Sequence, residues 1–321
     1  MMSNSNKRLV SLVIPVFNGS ETISELVVEC IRSFKDFFYL EIILVNDCSE
    51  DKSHEVCLSL LNEYPTIVTF ISLAKNFGEH NAVMAGLNHT TGDFVVTLDD
   101  DGQNPPQEAL NLINHAIKEN LDVVYSSYPK KMHHLVRNLC SWLNGKVANL
   151  MLRKPEGLYL SSFRSMSRFI VLEIIKYDLP YPYVDGLILR STSNIGTLET
   201  PHQPRRSGQS GYTFRKLIRL WLNMFTNFSV LPLRVASMLG FVFALLGMLI
   251  GAFTLYERIL NPNLPIGWAT IAVLCSILGG VQLMALGMVG EYLGRLFLGM
   301  NRQPQFVIRE LYSRNKETFR N

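Results

Sequence analysis

The sequence predicts an α/β chain: a mostly parallel sheet flanked by helices, followed by an interfacial helix and two transmembrane helices. Three observations carry this. Short β-branched runs alternate with helical-period segments over the first 125 or so residues, the signature of a parallel sheet with helices on both faces. One of those runs, Phe94-Val95-Val96-Thr97-Leu98, climbs into three consecutive carboxylates, Asp99-Asp100-Asp101, before Gly102 and Pro105-Pro106 break it. Two long apolar stretches then stand in series near the C-terminus, Leu231 to Tyr256 and Ile266 to Val289, each long enough for the roughly 20 residues a bilayer core requires.

The first strand is Leu9 to Pro15, ended by the proline. Asn18-Gly19-Ser20 turns the chain, and Ser20 opens a helix whose apolar residues Ile23, Leu26, Val27, Cys30 and Ile31 recur at helical period. Leu40 to Asp47 is the second strand, Cys48 to Ser53 a turn into a helix through Val56, Leu60 and Leu61, and Ile67 to Leu73 the third strand. Asn76 to Ala82 leads into a helix carrying Met84 to Leu87. After the acidic strand, Pro105-Pro106 begins a helix over Glu108 to Lys118, and Asp122 to Tyr125 is a fifth strand. An amphipathic helix is expected over Leu135 to Leu152, a strand or turn over Tyr159 to Arg164, and a helix over Arg168 to Ile175. Pro201 to Gly211 reads as a basic, Pro/Gly/Ser-rich loop.

Ligands of open α/β sheets bind outside the carboxyl ends of the strands. The acid triplet therefore sits where a ligand is expected, and Asp47, ending the second strand, shares that edge. On a continuing strand Asp99 and Asp101 point one way and Asp100 the other. Carboxylates that converge repel unless a cation lies between them. A hard divalent ion, Mg²⁺ or Mn²⁺, suits such oxygen ligands and is commonly shared with substrate phosphates. The chain has neither GxGxxG nor GxxxxGK[ST], so a phosphate ligand is not held by a glycine loop of either kind. The cations Lys130, Lys131, Arg205 and Arg206 are placed to grip an anion, the arginine fork pairing with phosphate oxygens. The adjacent His133 and His134 make a poor metal pair, because neighbours on a helix point apart.

Composition narrows the class. An apolar content of 48% with only 18% charged residues is high for a soluble enzyme and agrees with a membrane part. A net charge of +3 is too small to make nucleic acid the main partner. The five cysteines are scattered without a CxxC pair, which argues against a disulfide framework and structural zinc and fits a reduced, cytosolic setting. Met1 to Arg8 is polar, without a signal-peptide apolar region. Tyr212 to Ser229 sets Arg215, Lys216 and Arg219 against aromatic and aliphatic residues, as in a helix lying at lipid headgroups. Small residues (Gly240, Gly247, Gly251, Gly279, Gly280, Ala285, Gly287) would let the two apolar helices approach closely. Basic residues flank the outer ends, with Arg234 before and Arg295, Arg302, Arg309 and Arg314 after. By the positive-inside rule both termini are cytoplasmic. The expected organisation is a cytosolic head over 1–211, an interfacial helix over 212–230, a two-helix hairpin over 231–290 and a cytosolic tail over 291–321. A metal at strand-end carboxylates beside a membrane suggests chemistry on a phosphate-bearing donor with a lipid acceptor. A lipid phosphate is already an anion and needs positioning more than a strong base.

On these residues the sequence resembles family 2 glycosyltransferases of the GT-A fold, and within them the polyprenyl-phosphate sugar synthases, a group that includes dolichol-phosphate mannose synthase, bactoprenol glucosyltransferases and undecaprenyl-phosphate aminoarabinose transferase. The matching pieces are Val13 to Asn18, Val45 to Asp51, Asn76 to Ala82, Leu98 to Pro105, Arg205 to Tyr212, and Gly290 to Arg295, the last expected where the second membrane helix ends. The resemblance implies inverting transfer of a sugar from a nucleotide-sugar to polyprenyl phosphate on the cytosolic leaflet, for envelope glycan, O-antigen or lipopolysaccharide assembly. It implies that Pro15, Phe17 and Asp47 contact the nucleoside, that Asp99 and Asp100 approach the nucleotide, that Asp101 with Gln103 holds Mg²⁺ or Mn²⁺, and that Arg205 grips phosphate. It implies a homo-oligomer, a tetramer whose C-terminal tail packs on a neighbour. The sequence departs from the family pattern at Gly19, where Glu is frequent, at Leu158, where Asp is usual, at Tyr128 in place of Arg, and at Gly211 in place of Lys. The departures at Leu158 and Gly211 leave open a second reading, a catalytically silent membrane module that binds a nucleotide-sugar or scaffolds a glycan complex. A processive polysaccharide synthase would need more membrane helices and a Gln-x-x-Arg-Trp motif, and the chain has neither.

Overall fold

The computed structural model describes residues 7–127, 158–201, 231–260, 267–301 and 303–313. The amphipathic helix expected at Leu135 to Leu152, the interfacial helix at 212–230, and Lys130, Lys131, His133, His134, Arg205 and Arg206 lie outside them. The chain divides into two units: a head, which the residues after 302 rejoin, and a helical unit.

The head is built on one eight-stranded sheet. In chain order its strands are β1 (Leu9–Val16), β2 (Tyr39–Asn46), β3 (Val68–Leu73), β4 (Phe94–Thr97), β5 (Val123–Ser127), β6 (Arg164–Ser167), β7 (Ile195–Glu199) and β8 (Ile308–Tyr312). Their spatial order is β7-β5-β6-β4-β1-β2-β3-β8. β1 pairs in parallel with β2 and β4, β2 with β3, and β5 with β7. β6 runs antiparallel to β4 and β5, and β8 antiparallel to β3. The sheet is thus mixed, with two reversed strands that alternation alone did not reveal.

Helices α1 (Ile23–Phe34), α2 (Ser53–Glu63) and α4 (Pro106–Glu119) bury their apolar stripes against one face. Ile23, Leu26, Cys57, Leu60, Leu110 and Ile113 join Leu12, Ile14, Leu44 and Val96 in one core. Helix α3 (Glu79–Leu87) lies on the opposite face, where successive strand residues point; a Cβ at Gly86 would stand 2.4 Å from Val13 Cγ1. Two short helices, α5 (Arg168–Ile174) and α6 (Val184–Ser191), complete the head. α6 and β7 were not foreseen.

Some boundaries differ from expectation for identifiable reasons. α1 starts at Ile23 rather than Ser20: residues 20–22 form a turn in which the Gly19 carbonyl accepts the Thr22 and Ile23 amides and the Ser20 amide goes to Asp51. β4 stops at Thr97, so the acid triplet lies in the loop beyond it and the strand alternation assumed for Asp99 and Asp101 does not apply. Within the tail, β8 extends the head's own sheet, stacking Tyr312 on Phe70 with ring centroids 6.0 Å apart. Arg309, expected among the membrane-flanking cations, sits in β8 and donates to the Ala74 carbonyl.

The helical unit holds α7 (Leu231–Leu260) and α8 (Trp268–Met300). Both are long and apolar enough to cross a membrane, with mean hydropathies of 2.2 over Ala236–Phe253 and 1.3 over Ile277–Gly294. Their apolar side chains, such as Met238, Phe241 and Leu283, stand exposed, unlike those of core helices. α8 continues to Met300, so Gly290 to Arg295 lies inside the helix and not at its end. A Cβ built on Gly240, Gly247, Gly251, Gly279, Gly280 or Gly287 meets nothing within 4 Å.

Candidate active site

The spatial order places β1 at the point where the chain reverses direction across the sheet, with β2 on one side and β4 on the other. Open sheets bind ligands outside the strand ends at such a switch point, and the acid triplet follows the end of β4 there. Its three carboxylates are held in three directions. Asp99 Oδ2 accepts the Ser162 hydroxyl at 2.7 Å, from the turn that leads into β6. Asp100 Oδ2 accepts the Phe17 amide at 3.0 Å, tying the end of β4 to the end of β1. Asp101 Oδ1 accepts the Gln103 amide at 3.1 Å, a tight turn that Gly102 permits with φ of +70°.

Gly19 makes the second contact possible. A Cβ there would lie 2.3 Å from Asp100 Oδ2, so only glycine lets the β1–α1 loop close over the carboxylate. That loop is locked to the next one by hydrogen bonds from Asn18 N to Ser49 Oγ, Gly19 N to Ser53 Oγ and Ser20 N to Asp51 Oδ2. Phe17 itself is 47% exposed, just beyond the end of β1. Pro15 is partly buried in β1, paired with Val45. Asp47 is buried, and its carboxylate oxygens accept the Phe77 and Gly78 amides at 2.7 and 2.8 Å. It thereby fixes the loop into α3 at the same edge of the sheet.

The electrostatics are those of crowded acids. Burial pushes the Asp99 carboxyl up to about 7, and the charges of Glu79 and Asp101 push in the same direction. Burial likewise raises Asp100 to about 7, against the pull of the Phe17 amide. Burial lowers His80 to about 4, so its ring, edge-on to Tyr183 at 5.2 Å, is neutral at pH 7. A second polar group lies behind the crevice. Arg164, on β6, is only 2% exposed and pairs with Asp185 of α6, which also accepts the Tyr125 hydroxyl at 2.9 Å.

The donor set suits a hard divalent cation. Asp101 and Gln103 offer carboxylate and amide oxygens, and crowding raises the acids beside them. Among the described residues no three or more His, Cys, Asp or Glu side chains form a cage able to hold a metal alone. Mg²⁺ and Mn²⁺ are bound in that partial way, by one or two protein oxygens plus substrate phosphates.

A match to the family model described as glycosyl transferase family 2 runs over residues 11–174, from β1 through α5, and takes in every crevice residue described above except Asp185 and Tyr183. The chain belongs to glycosyl transferase family 2. It is a glycosyltransferase, and its residues 231–296 match a further model, the GtrB C-terminal hairpin. Two relatives named undecaprenyl-phosphate 4-deoxy-4-formamido-L-arabinose transferase span it almost entirely. That of Photorhabdus laumondii is 31% identical over 98% of both chains. That of an Enterobacter species is 33% identical over 95% of this chain and 94% of its own. Among solved structures, glucosyl-3-phosphoglycerate synthase of Mycobacterium tuberculosis, crystallised with Mn²⁺, UDP-glucose and phosphoglyceric acid, superposes with a TM-score of 0.50 at 18% identity, covering 68% of this chain and 78% of that one. The likeness supports the GT-A fold.

The sequence located the triplet and Asp47 at one edge of the glycosyltransferase sheet, and the structure brings them there, with Phe17 tied to Asp100 beside them. It gave no role to Ser162, Arg164, Tyr125 or Asp185. Ser162 and Arg164 lay within the expected strand or turn over Tyr159 to Arg164, but Asp185 lies in a helix that had not been recognised.

Proposed function

We propose that this glycosyltransferase moves a sugar from a nucleotide-sugar to undecaprenyl-type polyprenyl phosphate at the cytosolic membrane face, for cell-envelope glycan, O-antigen or lipopolysaccharide assembly. The observation that carries the reading is an acid triplet at the switch point of the sheet, in a chain that also holds two apolar helices and aligns end to end with undecaprenyl-phosphate sugar transferases.

Pro15, Phe17 and Asp47 form the nucleoside end of the crevice, and Asp99 and Asp100 face the nucleotide. Asp101 and Gln103 hold Mg²⁺ or Mn²⁺, which when bound offsets charge on the departing diphosphate. Lys130, Lys131, Arg205 and Arg206 contact the lipid phosphate or the diphosphate. A phosphate oxygen of the lipid attacks the anomeric carbon, that bond forms as the bond to the nucleoside diphosphate breaks, and the configuration inverts. The acceptor oxygen is already ionised, so no side chain needs to remove a proton from it. This agrees with an apolar, buried Leu158 where the family usually has an acid. The organisation that serves this chemistry is a head over 1–211, an interfacial helix over 212–230, a membrane hairpin over 231–290 and a tail over 291–321, with both termini cytoplasmic, assembled as a homo-tetramer.

The test uses purified full-length protein in lipid nanodiscs with undecaprenyl phosphate, Mg²⁺ or Mn²⁺ and a panel of labelled nucleotide-sugars. The panel includes activated 4-deoxy-4-formamido-L-arabinose, the sugar in the relatives' names. The expected result is glycolipid from the wild type and none from Asp101→Ala. Nucleotide binding without turnover on any donor would overturn the reading in favour of a silent binding module.

A further inference from the structure

We propose that Asp185 is a positioning residue for the transfer site: from α6 it holds Arg164, and through Arg164 it fixes the Ser161–Ser162 turn whose hydroxyl orients Asp99. The inference rests on the functional reading above and adds to it a residue outside the matched family segment.

The path is continuous. Asp185 Oδ1 accepts one Nη of Arg164 and the Tyr125 hydroxyl. The same Arg164 Nη donates to the Ser161 carbonyl at 3.3 Å. The next residue, Ser162, donates its hydroxyl to Asp99 Oδ2 at 2.7 Å and accepts the Thr97 hydroxyl at its carbonyl. Strand register puts the participants side by side, since Arg164 pairs with Thr97 on β4 and with Tyr125 on β5. Three strands and one helix thus meet on the turn that presents Ser162.

The energetics point the same way. Burying an ion pair costs much of what the pair returns, and apolar residues of similar volume often stabilise as well. Among the described residues Arg164 Nε has no hydrogen-bond partner, while one Nη reaches both Asp185 and the Ser161 carbonyl. Groups that orient a metal- or substrate-binding side chain from behind typically change affinity or rate when removed.

The test is a pair of mutant cycles on the full-length protein in nanodiscs, reading Mn²⁺-dependent UDP and GDP affinity by calorimetry. Asp185→Asn and Ser162→Ala are each expected to weaken binding by about 10-fold, the lower end for outer-shell partners. In the double variant the loss is expected to stay within about threefold of the larger single loss, because both act on Asp99 by one route. Losses that multiply, or an Asp185→Asn protein that binds like wild type, overturn the proposal. Tyr125→Phe leaves the Arg164–Asp185 pair in place and serves if Asp185→Asn does not fold. Its smaller loss is expected to vanish in the Ser162→Ala background, and persistence there overturns the proposal. A wild type that binds neither nucleotide overturns the functional reading itself, and this inference with it.

Discussion

Gly19→Ala tests the join between β1 and the acid triplet. The added Cβ would stand 2.3 Å from Asp100 Oδ2 and 2.9 Å from its Cγ, closer than any real contact. The obstructing atoms end a side chain, so the cheapest relief is for Asp100 to swing away. Doing so breaks its 3.0 Å hydrogen bond from the Phe17 amide. A hydrogen bond to a charged group is worth about 1.5–3 kcal/mol, which sets the expected stability loss, at the lower end where water reaches the released amide. The functional loss is expected to exceed that of a random surface change, because the displaced carboxylate is one we propose to face the nucleotide. At about 1.4 kcal/mol per decade of rate, kcat/KM for the donor is expected to fall by about 10- to 100-fold. Initial rates with varied nucleotide-sugar, beside a thermal melt, measure both quantities. An internal control is Asp100→Ala, which removes the atoms in the way, so that adding Gly19→Ala to it should cost little more. Wild-type kcat/KM in Gly19→Ala, or a full further loss in the double variant, would refute the reasoning.

The raised carboxyls give a pH dependence of definite sign. Asp99 and Asp100 titrate near 7 when folded and near 4 when unfolded, so the folded chain holds their protons more tightly. Their contribution to stability is greatest below about pH 4 and is lost as pH rises to about 7; in metal-free melts this slope should shrink in Asp100→Asn, and an unchanged slope would count against it. Asp47→Ala strands the Phe77 and Gly78 amides at about 1–3 kcal/mol for each that water fails to reach, read as a lower urea midpoint, while Asp47→Asn loses less; equal midpoints for Asp47→Ala and wild type would contradict this. Tyr312→Ala removes a ring stacked on Phe70, worth about 0.5–1.5 kcal/mol beyond its area. Hydrogen exchange should quicken at the β3 amides it covers while transfer activity holds, and unaltered exchange would show that β8 is anchored elsewhere.

The local sequence determined a good deal of this protein. β-branched runs ending at Pro15, Asp47 and Asp99 marked three strands and their common edge, because a buried parallel strand must be apolar along its length and must end where polar residues begin. The two apolar stretches marked the helices by length alone. What local pattern could not decide was strand direction and partnership. β6 and β8 are short runs containing Arg164 and Arg309–Glu310, so neither reads as a buried strand. Their place in the sheet is set by pairing with residues about 70 and 240 positions away. Asp185 shows the same limit: beside Gly186 in an eight-residue helix, it gave no sign of a role. Only when the sheet brings β5, β6 and α6 together does its carboxylate meet Arg164 and Tyr125, because the cost of burying each charge is met by a partner remote in sequence. The chemistry-bearing residues were legible because their type and position are local; the groups that hold them in place were not, because holding is a property of contacts made across the fold.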